Sequence, residues 1–300
     1  MTQDHRAVVD AMRQAIGLSR RALGWTSPNP IVGCVVLDRT GSVAGTGYHR
    51  GAGRPHAEVL ALAEAGRRAE GGTALVTLEP CAHTGRTGPC ALALREAGVA
   101  RVVYAVPDPN PTAAGGAAYL RAAGIEVIGD VLRMEAEHAN RMWLTAVRRR
   151  RPFVTWNFTG ATDERRPAAE YALRGTHDAV LVGADTIRAD DPQMGLPAGM
   201  SGRPPIRVVL MSGKRLPQQA RVLDDSAPTL VAVDEADQAA MLPGAEVMSP
   251  HGTGLSPMTL LSELYARGVR SVLMEGGGGL APSFALAGLV DRTVGRLDRA

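Results

Sequence analysis

An imidazole and two thiols stand close together in the first third of this chain. His56 lies in RPHAEVLALAEAG (residues 54–66), and Cys81 and Cys90 lie in TLEPCAHTGRTGPC (residues 77–90). That is a donor set zinc prefers, and three protein ligands leave a fourth tetrahedral position for water, the mark of a catalytic rather than a structural zinc. Glu58, two residues past His56, is not needed as a ligand. It is placed to take a proton from that water and deliver it to a leaving group. Eight residues separate the cysteines, and the intervening AHTGRTGP holds two glycines and a proline, so the chain can fold back and bring both sulfurs together.

Each of these residues has an ordinary reading when taken alone. Cys81 and Cys90 fit buried thiols, and His56 fits a capping or core histidine. A structural zinc is a further alternative, with His83 as the fourth ligand. The joint occurrence of His-x-Glu, Glu-Pro-Cys and a Cys opening a helix points to a metal site, and a structural zinc has no use for Glu58. The order His-x-Glu, then Pro-Cys, then a second Cys is that of zinc nucleobase deaminases, whose two cysteines stand two residues apart rather than eight. Cys34, in an apolar strand, reads as a small core residue.

Alternating helical and strand patterns must position these groups. Helical spacing covers 5–24, and IVGCVVLD and SVAGTGYH read as strands joined by a turn at 39–41. A helix follows over 56–66, with Pro55 before it and Gly66 at its end, so that His56 falls in the first turn. TALVTL is a strand, CALALREAG a helix led by Pro89 and Cys90, and RVVYAV, PTAAGGAAYLRAAG and IEVIGDV give strand, helix and strand. EAEHANRMWLTAVRRR reads as one longer helix. Both thiolates and acids are favoured at helix N-termini by the dipole. Beyond Arg148–Arg151 and Pro152 a second pattern begins. Strands are expected at FVTWNF, DAVLVG, IRVVLM, TLVAV and SVLME, and helices at 257–267 and 280–288. Such alternation predicts α/β architecture with a largely parallel sheet in each half.

The 300 residues suffice for two ordinary domains, expected at 1–147 and 152–300. A net charge of +3 and a pI near 9.0 suit a phosphorylated ligand but are too weak to argue for nucleic acid. Aromatic content of 4% gives little for stacking bases, and the Arg148–Arg151 run reads as a solvated helix end. Residues 1–18 carry charges throughout, unlike a signal peptide, and no apolar run could cross a bilayer. Three cysteines are too few for a disulfide framework, so a reducing cytoplasm is expected.

PNPIVGCVV, GYHRGAGRPHAEVLAL, TLEPCAHTGRTGPC and VPDPNP together closely resemble the bifunctional riboflavin-biosynthesis deaminase–reductases, in which the long cysteine spacing is the rule. The resemblance implies a cytidine-deaminase-like α/β/α domain and a substrate, the pyrimidine ribotide 2,5-diamino-6-(5-phosphoribosylamino)pyrimidin-4-one, whose ring amino group is replaced by oxygen. Matching positions place Asn29, His49, His83, Arg86, Asp108 and Asn110 around that substrate, with Arg86 suited to its phosphate. Without the resemblance, PDPNP reads as a Pro-rich turn. The same resemblance implies a homo-oligomer, dimer or tetramer.

RPFVTWNF, HDAVLVGADTIRADDP, PIRVVL and LMEGGGGLAPSFALAGLVD resemble the reductase half of that family, a dihydrofolate-reductase-like α/β domain that uses NADPH. Positions implied at the cofactor are Ala161, Thr186, Asp190, Glu275, Gly277, Gly278 and Gly279. The glycines follow a strand and open a helix, where backbone N–H groups can approach a pyrophosphate; a plain flexible loop has the same composition. The family's Ser-Leu-Asp-Gly-Arg and Ser-x-Trp-Ile stretches are not found in TGATDERRPAAEYALRG, GLPAG stands in place of its Leu-Thr-x-Arg, and the chain ends soon after LVDRTVGRLDRA, where the family continues. The expectation is a weak or inactive reductase half, kept as a docking or oligomerisation scaffold.

Overall fold

The structure, a computed structural model, describes residues 3–82, 88–158, 168–197, 199–200, 202–211, 216–233, 242, 244–249, 255–276 and 279–295. His83, Arg86, Ala161, Gly277 and Gly278 lie outside the described residues. Contacts divide the chain into two compact units, Met1–Arg148 and Arg149–Ala300.

In the first unit β1 (Gly33–Leu37), β2 (Val43–Tyr48), β3 (Thr73–Leu78), β4 (Arg101–Val106) and β5 (Glu126–Ile128) form one sheet in the order β2-β1-β3-β4-β5. Only the β3–β4 and β4–β5 pairings are parallel; β1 is antiparallel to both of its neighbours, β2 and β3. This corrects the expectation of a largely parallel sheet in this half. Two strands joined by so short a turn must be antiparallel, and the crossover from β2 then returns β3 in the direction of β2. The turn is built at Asp38, whose Oδ1 accepts the N–H groups of Thr40 at 2.8 Å and Ser42 at 3.1 Å, while Gly41 takes a φ of 83°. The outer edge of β2 is covered from one side: Glu64 accepts the Thr46 N–H at 2.8 Å, and Arg68 donates to the Ala44 carbonyl.

Successive residues of each strand face opposite ways, and that splits the core into two layers. Val35, Leu37, Leu75 and Val103 pack on α1 (Gln3–Arg20), α5 (Arg133–Ala139) and α6 (Arg141–Arg149) through Met12, Ile16, Ala136 and Leu144. Cys34, Val36, Ala74, Val76 and Val102 pack on α2 (Ala57–Ala65), α3 (Cys90–Glu96) and α4 (Gly116–Ala122). Cys34 is fully buried there, as a core residue should be. The helix expected over 135–150 is two helices, interrupted at Asn140 with φ −101° and ψ 17°. Asparagine is a poor helix former because its side chain competes for nearby backbone groups.

Seven strands build the second unit's sheet: β6 (Phe153–Asn157), β7 (Ala179–Gly183), β8 (Ile206–Met211), β9 (Thr229–Val233), β10 (Glu246–Met248), β11 (Ser271–Glu275) and β12 (Arg292–Val294), in the order β10-β9-β8-β7-β11-β6-β12. All the pairings are parallel, and β7 and β9 read as continuous apolar runs because both faces are covered. One face packs on α9 (Pro257–Ala266) and α10 (Leu280–Leu286), the other on α8 (Ala184–Asp190). The short elements α7 (Ala168–Thr176), α8, β10 and β12 were not anticipated from the sequence pattern. The arginine run is more than a solvated helix end: Arg149 and Arg151 converge on Asp291, Arg149 at 2.7 Å and Arg151 at 2.6 and 2.9 Å, and the Arg151 side chain is 5% exposed. Among the described residues no helix is long and apolar enough to cross a membrane.

Candidate active site and metal centre

His56 is the N-cap of α2 rather than a residue of its first turn, in extended backbone conformation (φ −71°, ψ 163°). Pro55 before it disfavours an earlier helical start. Cys90 is the first residue of α3, behind Pro89 at its N-cap, and Cys81 lies in the loop just beyond β3. The two cysteines meet: the Cys90 N–H points to the Cys81 sulfur at 3.4 Å, and Ala91 N–H donates to the Cys81 carbonyl at 3.1 Å. The His56 Nδ1 is 3.1 Å from the Cys90 sulfur and 3.7 Å from the Cys81 sulfur, and all three donor atoms fall within 4.8 Å of one another.

Those atoms fit zinc. Bonds of about 2.0–2.3 Å to one ion place neighbouring donors roughly 3.5–3.8 Å apart in a tetrahedron. The protonation of the cluster points the same way. The hydrogen bond from Cys90 to Cys81, joined by that from His56, holds Cys81 down to about 4 against its burial. Sharing its proton with Cys81, and then burial, pushes Cys90 far up. One thiolate therefore suppresses the other, and a dication is the partner that lets both ionise. The hydrogen bond with Cys81 raises His56, against the effect of burial.

Glu58 sits in the first turn of α2, 4% exposed. Burial raises its carboxyl above the ordinary range, while its own backbone N–H and the nearby His56 pull it back. It faces a cavity of about 400 Å³ that His56 and Cys81 also line. The same cavity gathers Asn29, His49, Asp108 and Asn110, from three widely separated stretches of chain. His49 is 3% exposed; its Nδ1 faces the Pro55 carbonyl and its Nε2 faces Asn29 Nδ2, each at 3.2 Å. A carbonyl only accepts, so Nδ1 carries the proton and Nε2 accepts from the Asn29 amide. Burial lowers the His49 pKa, although the bond to Pro55 opposes it, and the ring is neutral at physiological pH. Asp108 Oδ1 accepts the Asn110 N–H at 2.8 Å, and Asn110 Oδ1 in turn accepts from Thr112, so the Pro-rich turn is also a rigid arm.

Sequence reasoning missed three residues at this cavity. Trp143, on α6, lines it and donates from Nε1 to the Pro28 carbonyl at 3.0 Å, which steadies the turn carrying Asn29. Arg54 is an exposed cation at the lining, two residues before His56. Glu79, just past β3, binds backbone beyond the neighbouring strand β4 and in α4. The signal for Arg54 was its place in the quoted motif. Glu79 is the Glu of Glu-Pro-Cys, but its partners are main-chain groups far away in sequence, so its role left no local signature; nor did that of Trp143.

In the second unit the described cofactor positions lie at and beyond the ends of the neighbouring strands β7 and β11. Thr186 lies in α8, and a Cβ added at Gly276 would come within 3.2 Å of its Oγ1; Gly276 itself has a φ of 92°. Asp190 is the exposed last residue of α8, and Gly279 is the N-cap of α10. Glu275 ends β11 with both carboxylate oxygens engaged by Arg174, at 2.9 and 2.8 Å, and the Arg174 side chain is 1% exposed.

Two family models match. The "Cytidine and deoxycytidylate deaminase zinc-binding region" covers residues 6–106 and the "RibD C-terminal domain" covers 156–294. The riboflavin biosynthesis protein RibD of Aquifex aeolicus is 37% identical over 94% of this chain and 84% of its own length, and that of Escherichia coli is 35% identical over 94% and 85%. The chain belongs to the RibD family. The crystal structure of a diaminohydroxyphosphoribosylaminopyrimidine deaminase/5-amino-6-(5-phosphoribosylamino)uracil reductase from Thermotoga maritima superposes with a TM-score of 0.86 at 33% identity, covering 97% of this chain and 86% of that one. Acinetobacter baumannii RibD gives 0.84 at 36% identity with the same coverage. The two units thus have a cytidine-deaminase-like and a dihydrofolate-reductase-like fold, and the chain is a zinc-dependent pyrimidine deaminase of riboflavin biosynthesis that carries the family's reductase domain.

Proposed function

We propose that the first unit hydrolyses the ring amino group of 2,5-diamino-6-(5-phosphoribosylamino)pyrimidin-4-one to oxygen, releasing ammonia, with His56, Cys81 and Cys90 as zinc ligands and Glu58 as the proton carrier. The observation that carries this is the gathering of one imidazole, two sulfurs and a buried carboxyl at one cavity. Zinc held there supplies Lewis-acid chemistry that lowers the pKa of water toward neutrality. The other roles belong to the protein. Glu58, raised by burial, accepts a proton from the attacking water and gives it to a ring nitrogen; it then takes the second proton from the new ring C–OH and delivers it to the departing amine as the carbon–nitrogen bond breaks and the carbonyl forms. Asn29, with its amide fixed by His49, and the Asp108–Asn110 arm orient the ring. Arg86, and the exposed Arg54 at the cavity lining, are the cations for the ribotide phosphate.

Ammonia release from the diaminopyrimidine ribotide tests the assignment, measured for wild type and Glu58→Gln with zinc content determined in both. Full zinc with turnover reduced by about 10²–10⁴, the usual worth of a positioned acid–base group, is expected. Equal turnover removes Glu58 from the mechanism.

For the second unit the reading is a weak reductase. When bound, NADPH supplies a hydride; the residues proposed to hold it are Thr186, Asp190, Glu275 and Gly279, with Ala161, Gly277 and Gly278 from outside the described residues. Two observations favour weakness: the family stretches absent from the sequence, and the engagement of Glu275 by Arg174. Oxidation of NADPH by the purified chain given the deaminated ribotide is expected to be far below ordinary turnover, about 1–10³ per second; a normal rate overturns this. A homo-oligomer in the cytoplasm completes the reading; the three free cysteines suit a reducing compartment, and solution mass checks the assembly.

A further inference from the structure

Glu79 joins the metal-side loop to the substrate arm. Its own N–H donates to the Val106 carbonyl at 2.8 Å, so its backbone is tied to the end of β4. Its carboxylate reaches further along: Oε2 accepts the Asp108 N–H at 3.3 Å, and Oε1 accepts the N–H groups of Gly115 at 3.2 Å and Ala117 at 3.1 Å. The same two segments touch again where a Cβ on Gly116 would fall 1.8 Å from the Pro80 carbonyl oxygen, and where Ala82 N–H donates to Ala113 at 3.1 Å. One end of this contact is two residues from Cys81; the other carries Asp108 and Asn110. Three backbone donors on one carboxylate is a strong clamp, because hydrogen bonds to a charged acceptor are about twice as strong as neutral ones.

We infer that Glu79 is a positioning residue for the deamination: by gripping Asp108 and the start of α4 it sets the distance between the metal ligands and the arm that orients the pyrimidine. This rests on the reading of the Asp108–Asn110 arm as a substrate contact.

Amide hydrogen exchange on the zinc-loaded wild-type chain comes first. Asp108, Gly115 and Ala117 amides are expected to be protected; exchange at free-peptide rates overturns the inference without any variant. Glu79→Gln then separates the clamp from the fold. The substituted amide keeps an oxygen for Gly115 and Ala117 but turns an N–H₂ toward the Asp108 N–H, donor against donor. Faster exchange confined to Asp108–Asn110, full zinc, KM raised roughly ten-fold and kcat within about three-fold are expected. An unchanged KM despite a loosened arm overturns the inference, as does loss of zinc with the arm still protected, which would put Glu79 in the service of the metal instead. If wild type releases no ammonia from the ribotide, the functional reading fails on its own, and the exchange pattern still decides whether Glu79 holds the arm.

Discussion

One proton shared between two sulfurs describes the thiol pair of the metal centre: Cys81 ionises readily, and Cys90 resists because of its hydrogen bond with Cys81. Neither thiol is a spare. Cys81→Ser and Cys90→Ser are each expected to weaken zinc by more than the roughly 10–100-fold that removing a supporting outer group costs, and deamination should fall in proportion to residual metal. Elemental analysis beside the activity assay checks it; a variant that keeps one zinc per chain and full activity removes that sulfur from the ligand set. These donors were legible in the sequence because their chemistry lies in residue type and spacing. Asn29, His49, Asp108 and Asn110 were legible only through family resemblance, since the cavity collects them from strand ends and turns far apart in sequence. The roles of Glu79, although it stands in the Glu-Pro-Cys motif, and of Trp143 were not legible, because their partners are backbone groups that any residue could supply.

At the scale of elements, the catalytic residues depend on how closely α2 lies on β2. The contact is a seam of small residues, Gly45 and Gly47 against Ala57, Ala61 and Ala65; a Cβ at Gly47 would meet the Ala57 carbonyl oxygen at 2.3 Å, and one at Gly45 the Ala61 carbonyl oxygen at 2.2 Å. Gly47→Ala is expected to cost about 1–3 kcal/mol, the usual penalty of overpacking. Because His56 and Glu58 sit at the end of the displaced helix, it should also lower deaminase activity by more than its effect on melting would suggest. Thermal unfolding and turnover on the same sample test this; unchanged values in both would show that the seam has slack. The central strands could be read from apolar runs, and β3, β4, β8, β9 and β11 start and end where the pattern placed them. The short turn at 39–41 already implied that β1 and β2 are antiparallel; the insertion of β1 between β2 and β3 could not be read, because it depends on the path of a crossover. β10 and β12 are three residues each, too short to show a period.

The whole-molecule response to acid follows from one further pair. Arg207 is completely buried in the second unit and donates to Asp224 Oδ1 at 2.6 Å and to the carbonyls of Asp224 and Ala227. Burial works to raise the Asp224 carboxyl, but the hydrogen bonds from Ser226 and Arg207 outweigh it and hold the group at about 2. An unfolded aspartate titrates near 3.9, so the folded state favours the ionised form. The stabilisation is complete above about pH 4 and is lost as pH falls through about 2. Melting temperatures of wild type and Asp224→Asn should therefore differ at pH 5 and converge toward pH 2; a constant gap would rule out Asp224 as a source of acid sensitivity.

The rims of the two sheets bear on how copies of this chain can meet. Three of the four border strands, β5, β10 and β12, span three residues each, and on the fourth, β2, Glu64 and Arg68 already occupy outward-facing main-chain groups. A free strand from a neighbour finds too little ladder to extend, which is how natural proteins avoid runaway fibre growth. Among the described residues, then, self-association has little strand edge to build on and is expected to run through helices and loops.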